Sequence, residues 1–388
     1  MHKDFFKNNK RLIGHFTGKP KGPAVIIFSG IHGNEDAGVK ASKKIIKRIE
    51  KDNIPVKGNL FFVYGNSKAL KLKKRYIDTD LNRIWSTEHI QKLKKMVKAE
   101  MISEEREQIE IYLLIKDIIE YCSGKFYFID LHTTSSKTFP FITISDSLNN
   151  RKFSSAFPLP TVLGIEEYLP GPLLTFMNEF GYIALGFEAG QHDDIESIKN
   201  CESFIWRSLI HTGSVKKKAL NDYQNISDQL LKSRCTNKYR FFQIVFRYEI
   251  RPEENFKMLA GFENFEEIKK GQLLAENNGV EVRAVKSGRI FMPLYQNQGD
   301  DGFFIIRRVS KFWINASIVA RKLHAHNFLR ILPGVKKDPE NKYILIVDPK
   351  TAKFMAKQIF HLFGYRQQVL KDNKLHFIKR DRKILPFP

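Results

Sequence analysis

A chain of 388 residues with 42% hydrophobic and 28% charged residues can bury a sizeable core and has room for two or three domains, which sets aside intrinsic disorder. No stretch approaches the ~18 consecutive apolar residues of a membrane-spanning helix. The three cysteines (Cys122, Cys201, Cys235) are odd in number and far apart, which sets aside a disulfide scaffold. The net charge of +23 admits nucleic acid, an anionic membrane face or acidic small molecules as partners. The basic residues are scattered singly and no standard nucleic-acid motif occurs, so nucleic-acid binding is not expected. Residues 311–388 carry 17 Lys/Arg against 5 Asp/Glu, which reads as a solvated basic surface. The N-terminal "MHKDFFKNNKRLIGHF" lacks the apolar core of a secretory leader. A cytoplasmic protein with reduced thiols, outside the membrane, is expected.

The elements follow in chain order. "PAVIIFS" (23–29) is a β-branched run ending in glycine and reads as a buried strand. Residues 35–51 place Val39, Ile45, Ile46 and Ile49 near helical spacing between lysines, an amphipathic helix. "GNLFFVYG" (58–65) is a second strand, residues 88–121 are mostly helical, and "KFYFIDL" (125–131) is a third strand. "PFITIS" (140–145) and "GYIALGFEAG" (181–190) are further strands, with a helix near 193–212. Strands alternating with helices predict an α/β fold with a mostly parallel sheet covered on both faces. From about residue 236 the pattern becomes β-rich and Gly-punctuated, starting with "YRFFQIVFRYEI" (239–250). The expected organisation is an α/β domain over 1–235, a small barrel-like all-β domain over 236–320, and a basic extension over 321–388 with a β-α-β pattern.

Four polar clusters interrupt apolar runs. In "VIIFSGIHGNEDAG" (25–38), His32 and Glu35 follow a strand end, and Gly30 and Gly33 free the backbone to turn them toward one point. "FYFIDLHTT" (126–134) brings His132 to another strand end, and the carboxyl ends of parallel strands converge on one crevice. His32, Glu35 and His132 make a His₂Glu set of the kind catalytic zinc sites use. A surface His beside a helix-terminal Glu is the competing account of the first pair. Asp130 either orients a ligand or caps a turn. "ALGFEAGQHDD" (184–194) supplies Glu188, a candidate general base, and His192 nearby is a supporting or surface histidine. In "KKRYIDTDLNRIW" (73–85), Asn82 and Arg83 suit a substrate carboxylate and Arg75 a developing oxyanion, with Asp78 and Asp80 holding the arginines. A structural ion-pair cluster is the alternative there.

"GIHGNE", "RYIDTDLNR", "DLHTT" and "GFEAG", in that order, resemble the succinylglutamate desuccinylase/aspartoacylase family, relatives of the zinc carboxypeptidases, over roughly residues 23–310. The resemblance implies a zinc-carboxypeptidase-like α/β domain with a β domain narrowing its entrance. It implies one zinc ion on His32, Glu35 and His132, and Glu188 as general base and acid. Arg75 would polarise the scissile carbonyl, and Asn82 and Arg83 would bind a substrate carboxylate. It also implies a tyrosine reaching in from the β domain, for which "MPLYQNQGDDGF" (292–303) offers Tyr295. The chain departs from the family at "EAGQHDD" (188–194), and "YLPGPLLTFMNEFGY" (168–182) offers no arginine for a second substrate carboxylate. The expected activity is zinc-dependent hydrolysis of the amide of a small N-acylated carboxylate such as an N-acyl amino acid. A carboxypeptidase for short peptides and a non-catalytic, basic, metal-containing binding protein are the other two readings. Homo-oligomerisation stays open.

Overall fold

The computed structural model describes residues 6–232, 240–348, 350, 357–371 and 373–388. Its centre is a mixed sheet whose first half contains β1 (Leu12–Thr17), β2 (Ala24–Ser29), β3 (Asn59–Tyr64), β4 (Phe126–Thr134), β5 (Phe141–Ile144), β6 (Thr161–Leu163), β7 (Ile183–Gln191) and β8 (Phe241–Glu249). In space their order is β1-β3-β2-β4-β7-β5-β6-β8. The four central strands β3, β2, β4 and β7 are parallel, while β1 and β5 run antiparallel to their neighbours β3 and β7. β1 and β6 are short strands that the apolar pattern does not announce. β1 is only half-buried along its whole length, so it lacks the unbroken apolar run of a central strand.

The central strands are covered on both faces, which is why they read as continuous apolar runs. β2 shows the alternation directly. Val25 and Ile27 face a core shared with Ile45, Ile49, Phe204 and Trp206 from helices Ala37–Lys51 and Ile195–His211. Ala24, Ile26 and Phe28 face the opposite core, with Ile111, Tyr112 and Ile115 of helix Ser103–Tyr121. A strand of period two between two helical layers places both sets in contact without a register fault.

The same sheet continues from β8 into the β-rich region. β9 (Phe256–Met258), β10 (Glu267–Ile268), β11 (Leu273–Asn277), β12 (Val280–Arg283), β13 (Gly288–Phe291) and β14 (Asp301–Arg308) follow in sequence. β8 pairs in parallel with β6 on one edge and antiparallel with β14 on the other, and β13 and β10 complete the sheet. β9, β11 and β12 form a separate three-stranded sheet. The strands expected to curl into a small barrel are therefore divided between an extension of the large sheet and a short second one. The expected boundary at 235/236 and Cys235 lie outside the described residues. Cys122 and Cys201 are buried free thiols.

The C-terminal segment folds back onto the first half. β15 (Val335–Lys337), β16 (Ile344–Val347), β17 (Tyr365–Lys371) and β18 (Lys374–Lys379) form an antiparallel sheet in the order β15-β16-β18-β17. β17 is additional to the expected β-α-β pattern. Asp146, fully buried, sits just beyond β5 and receives three guanidinium groups. Arg151 donates from Nε at 2.5 Å and Nη2 at 2.9 Å, Arg321 from Nη2 at 3.0 Å, and Arg366 from Nη2 at 2.5 Å. Arg366 also donates Nη1 to His361 Nδ1 at 2.9 Å, so His361 carries its proton on Nε2, 2.8 Å from Glu167. The last residues return as well: Phe387 stacks on Tyr112 and meets Phe176 and Phe180 edge-on. Part of the basic excess of the tail is thus interior, because Arg321, Arg366 and Arg380 are all buried.

Burial opposes the charge on Asp146, but Arg151, Arg321 and Arg366 outweigh it and hold the carboxyl well below the usual carboxylate range. Removing one partner from a buried ionic cluster leaves uncompensated charge, at a cost of about 3–5 kcal/mol. Asp146→Asn should lower stability by that order in urea unfolding at neutral pH. A depressed carboxyl contributes stability above its unfolded value and loses it as pH falls toward its folded one. The gap between wild type and variant should therefore hold at neutral pH and shrink below about pH 4.

Candidate active site

The register of the parallel strands assembles the site. Ser29 of β2 lies beside Leu131 of β4, and His132 of β4 lies directly beside Glu188 of β7. His32 and Glu35 follow β2 in a turn that begins at Gly30, whose φ of 74° suits glycine. Gly33 serves a different need: a Cβ there would lie 2.1 Å from the backbone of Ala69. The turn is packed against helix Ser67–Leu72, and Gly33 N–H donates to Arg75 O at 3.1 Å. That bond also fixes the start of the segment carrying Arg75, Asp80, Asn82 and Arg83.

The carboxylate of Glu35 is the meeting point. His32 Nδ1 is 2.9 Å from one of its oxygens, and His132 Nδ1 is 3.0 Å from the other. The far nitrogens are held by two more carboxylates: His32 Nε2 lies 3.0 Å from Asp80, and His132 Nε2 lies 2.7 Å from Asp130. A carboxylate accepts, so each Nε2 carries a proton. Each Nδ1 then presents either a lone pair or a second proton to Glu35. The ligand atoms of His32, Glu35 and His132 all lie within 4.8 Å of one another, and all three residues are buried. Two imidazole nitrogens and a carboxylate oxygen, backed by carboxylates on the far nitrogens, are the donor set that zinc takes. The residues therefore fit such an ion.

The electrostatics match this arrangement. Burial raises Glu35, but His32 and His132 outweigh it and hold it well below the usual carboxylate range. Asp80 is held low in the same way by His32, Arg75 and Arg83. Burial lowers His132, yet Asp130 and Glu35 raise it well above an ordinary imidazole. Glu188 behaves oppositely. Burial pushes it up to about 8 against the pull of His132, and its Oε2 is buried without a hydrogen-bond partner.

These groups open into one cavity of about 120 Å³, lined by His32, Glu35, Arg75, Asn82, Arg83, His132 and Glu188. Arg75 donates Nη2 to Asp80 at 3.0 Å and lies 3.5 Å from Glu35. Burial disfavours its charge, but Asp80 and Glu35 keep it firmly cationic. Asp78 does not hold an arginine; it accepts from Ser103 N–H at 2.8 Å at the start of a helix. Asn82 and Arg83 reach the cavity but have protein partners: Asn82 Oδ1 accepts from Leu173 N–H at 3.0 Å, and Arg83 Nη2 donates to Asp301 at 2.8 Å. Asp301 is shared with Arg247, and Arg83 Nε is buried without a partner.

Tyr295 does not line the cavity. Its hydroxyl donates to Leu259 O at 2.7 Å and accepts from Phe262 N–H at 3.0 Å, so it braces the β-rich region instead. Its neighbours reach the site. Gln296 Oε1 lies 3.1 Å from His192 Nε2 and accepts from Asn34 at 2.9 Å. Gln298 accepts from Arg75 N–H at 3.2 Å. His192 Nδ1 is 2.7 Å from Thr133 Oγ1, which places it on the cavity wall. Asp301, Gln296 and Gln298 lie more than 200 residues from Arg83, Asn34 and Arg75 in sequence, and no local spacing marks them. The remaining lining mixes threonines and serines, among them Thr143, Ser145 and Thr175, with the apolar Ile144, Ile165, Leu169, Leu174 and Phe304.

Residues 21–201 match the model of the succinylglutamate desuccinylase/aspartoacylase catalytic domain. A succinylglutamate desuccinylase of Pseudoalteromonas atlantica is 25% identical over 284 residues, covering 68% of this chain and 75% of that protein. The enzyme of the same name from Erwinia tasmaniensis is 36% identical over 62 residues, which span 16% of this chain and only 19% of that protein. The crystal structure of a succinylglutamate desuccinylase/aspartoacylase from Rhodobacter sphaeroides shares the fold, with a TM-score of 0.55 at 15% identity, covering 76% of this chain and 88% of that one. Over residues 21–201 the chain is therefore similar to the succinylglutamate desuccinylase/aspartoacylase family, as its four motifs imply.

Proposed function

We propose that the protein is a zinc-dependent deacylase that hydrolyses the amide of an N-acyl amino acid or similar small carboxylate. The observation that carries this reading is the convergence of His32, Glu35 and His132 within 4.8 Å, with Glu188 in direct register beside His132. Zinc held by the three residues would supply a Lewis acid that polarises the substrate carbonyl and acidifies water. The Glu188 carboxylate, made more basic by its burial, takes a proton from the attacking water and returns it to the departing amine. Arg75, kept cationic by Asp80, faces the negative charge that develops on the carbonyl oxygen. Asp80 and Asp130 accept from the two Nε2–H groups, so Nδ1 is the atom each histidine turns toward the ion. Arg83, on the cavity wall, offers its positive charge to a substrate carboxylate while Asn82 O and Asp301 hold its Nη1 and Nη2.

The test is metal analysis paired with a hydrolysis screen of N-acyl amino acids and unacylated dipeptides. Turnover of N-acyl amino acids with about one zinc per chain supports the proposal, and turnover confined to dipeptides would make it a carboxypeptidase. Metal retention with no hydrolysis of either class would leave the non-catalytic binding protein as the reading. Glu188→Gln should keep its zinc and lose about 10²–10⁴-fold in kcat; an active variant would remove Glu188 from the chemistry. His32→Ala should be purified without zinc, as measured by atomic emission. Asp80→Ala should retain the site but bind zinc about 10–100-fold more weakly in a chelator competition.

A further inference from the structure

The catalytic cavity continues past Glu188 along β7. Ala184, Gly186 and Glu188 are alternate residues of that strand, so they share a face, and all three line the cavity. At a rise of about 3.3 Å per residue, Gly186 lies about 7 Å and Ala184 about 13 Å along the strand from Glu188. Neither carries more than a methyl group. Gly186 pairs with Thr143 of β5, and a Cβ on it would lie 2.5 Å from Thr143 Oγ1 and 3.6 Å from Leu174 Cδ1. Thr143 and Leu174 therefore flank this stretch. Leu174 and Thr175 belong to helix Leu173–Glu179, whose first N–H is held by Asn82 Oδ1. Leu169 and Phe304, two buried members of one apolar core, line the same cavity. Among the described residues of its lining, the guanidinium groups are those of Arg75 and Arg83, and there is no lysine. Both are engaged by carboxylates, Arg75 by Asp80 and Glu35 and Arg83 by Asp301. Glu35, Glu188 and Asp301 add negative charge to the same lining.

We infer that the stretch between Gly186, Leu174 and Phe304 is a subsite for an uncharged, apolar arm of the substrate, so that the protein acts on N-acyl amino acids with one carboxylate and an aliphatic or aromatic group, in preference to dicarboxylates. This assignment rests on the deacylase reading above, in which Arg83 takes the one substrate carboxylate and Glu188 stands beside the scissile amide. A group about 7 Å from Glu188 is then within reach of either the amino-acid side chain or the acyl chain. Leu169, Leu174 and Phe304 reward the burial of apolar area, while Thr143, Ser145 and Thr175 bring hydroxyls without charge. A second substrate carboxylate lodged there would be buried with no cation left to pair with it and with three acidic residues in the same cavity, which strongly disfavours it.

The zinc-loaded protein is assayed on N-acetylglycine, N-acetylleucine, N-hexanoylglycine, N-acetylaspartate and N-succinylglutamate. N-acetylleucine or N-hexanoylglycine should exceed N-acetylglycine by about tenfold or more in kcat/KM, and neither dicarboxylate should match the better apolar substrate. A gain with N-acetylleucine puts the amino-acid side chain in the subsite, and a gain with N-hexanoylglycine puts the acyl chain there. Zinc-loaded Glu188→Gln, which holds ligand without turning it over, should show the same order in calorimetric affinities. Leu174→Arg places a cation on a half-buried lining position, and with its fold verified by circular dichroism it should shift the kcat/KM ratio toward a dicarboxylate by about tenfold or more. Preference of the wild-type protein for N-acetylaspartate or N-succinylglutamate, or equal rates on N-acetylglycine and both apolar substrates, would overturn the subsite while the deacylase reading stands. Neither turnover nor binding of any N-acyl amino acid would overturn both. A folded Leu174→Arg protein with the wild-type preference would overturn the placement of the subsite beside Leu174.

Discussion

One carboxylate, that of Glu35, organises the catalytic half of the molecule. Both histidine Nδ1 atoms and the backbone N–H of Thr133 point at it, and Arg75 stands 3.5 Å away. Buried anions persist only when their surroundings over-compensate the lost hydration, and here two imidazoles and a guanidinium do so. The requirement propagates outward. His32 needs Asp80, His132 needs Asp130, and Asp80 in turn needs Arg75. Gly30 and Gly33 let the turn that carries this carboxylate pack against helix Ser67–Leu72 without a steric clash.

Glu188 is the exception, and the proposed reading gives it the proton transfers. It shares the cavity but not the compensation. One of its oxygens has no hydrogen-bond partner, and burial dominates its protonation. Two carboxyl groups lining one cavity therefore hold opposite tendencies: Glu35 to stay ionised and Glu188 to take a proton. That separation of roles is what a hydrolytic site needs from a pair of acids.

A second buried carboxylate, Asp146, plays the corresponding part for the C-terminal segment. Three guanidinium groups from three different parts of the chain meet there, and the strand that leads into it, β5, also lines the catalytic cavity. The tail is bound to the first half through buried ionic contacts and the aromatic return of Phe387, so its positive charge is in part a packing device.

What sequence alone determined were the elements whose signal is local. The apolar runs of β2, β3, β4 and β7 are legible because strands buried on both faces are made mostly of apolar residues. His32, Glu35, His132 and Glu188 are legible because each breaks such a run at its carboxyl end. The short strand β6, the half-buried β1 and the splitting of the β-rich region lack that signature, since their burial comes from partners distant in the chain. Tertiary structure decided which residue of "MPLYQNQGDDGF" approaches the site: Gln296, Gln298 and Asp301 do so and Tyr295 does not. It also decided that Arg83 shares its charge with Asp301, and that the basic residues Arg321 and Arg366 belong inside. Apart from the bracing of Tyr295, those outcomes depend on hydrogen-bond partners more than a hundred residues apart, and a side chain's partner across such a distance is set by how the sheets pack, which no local spacing encodes.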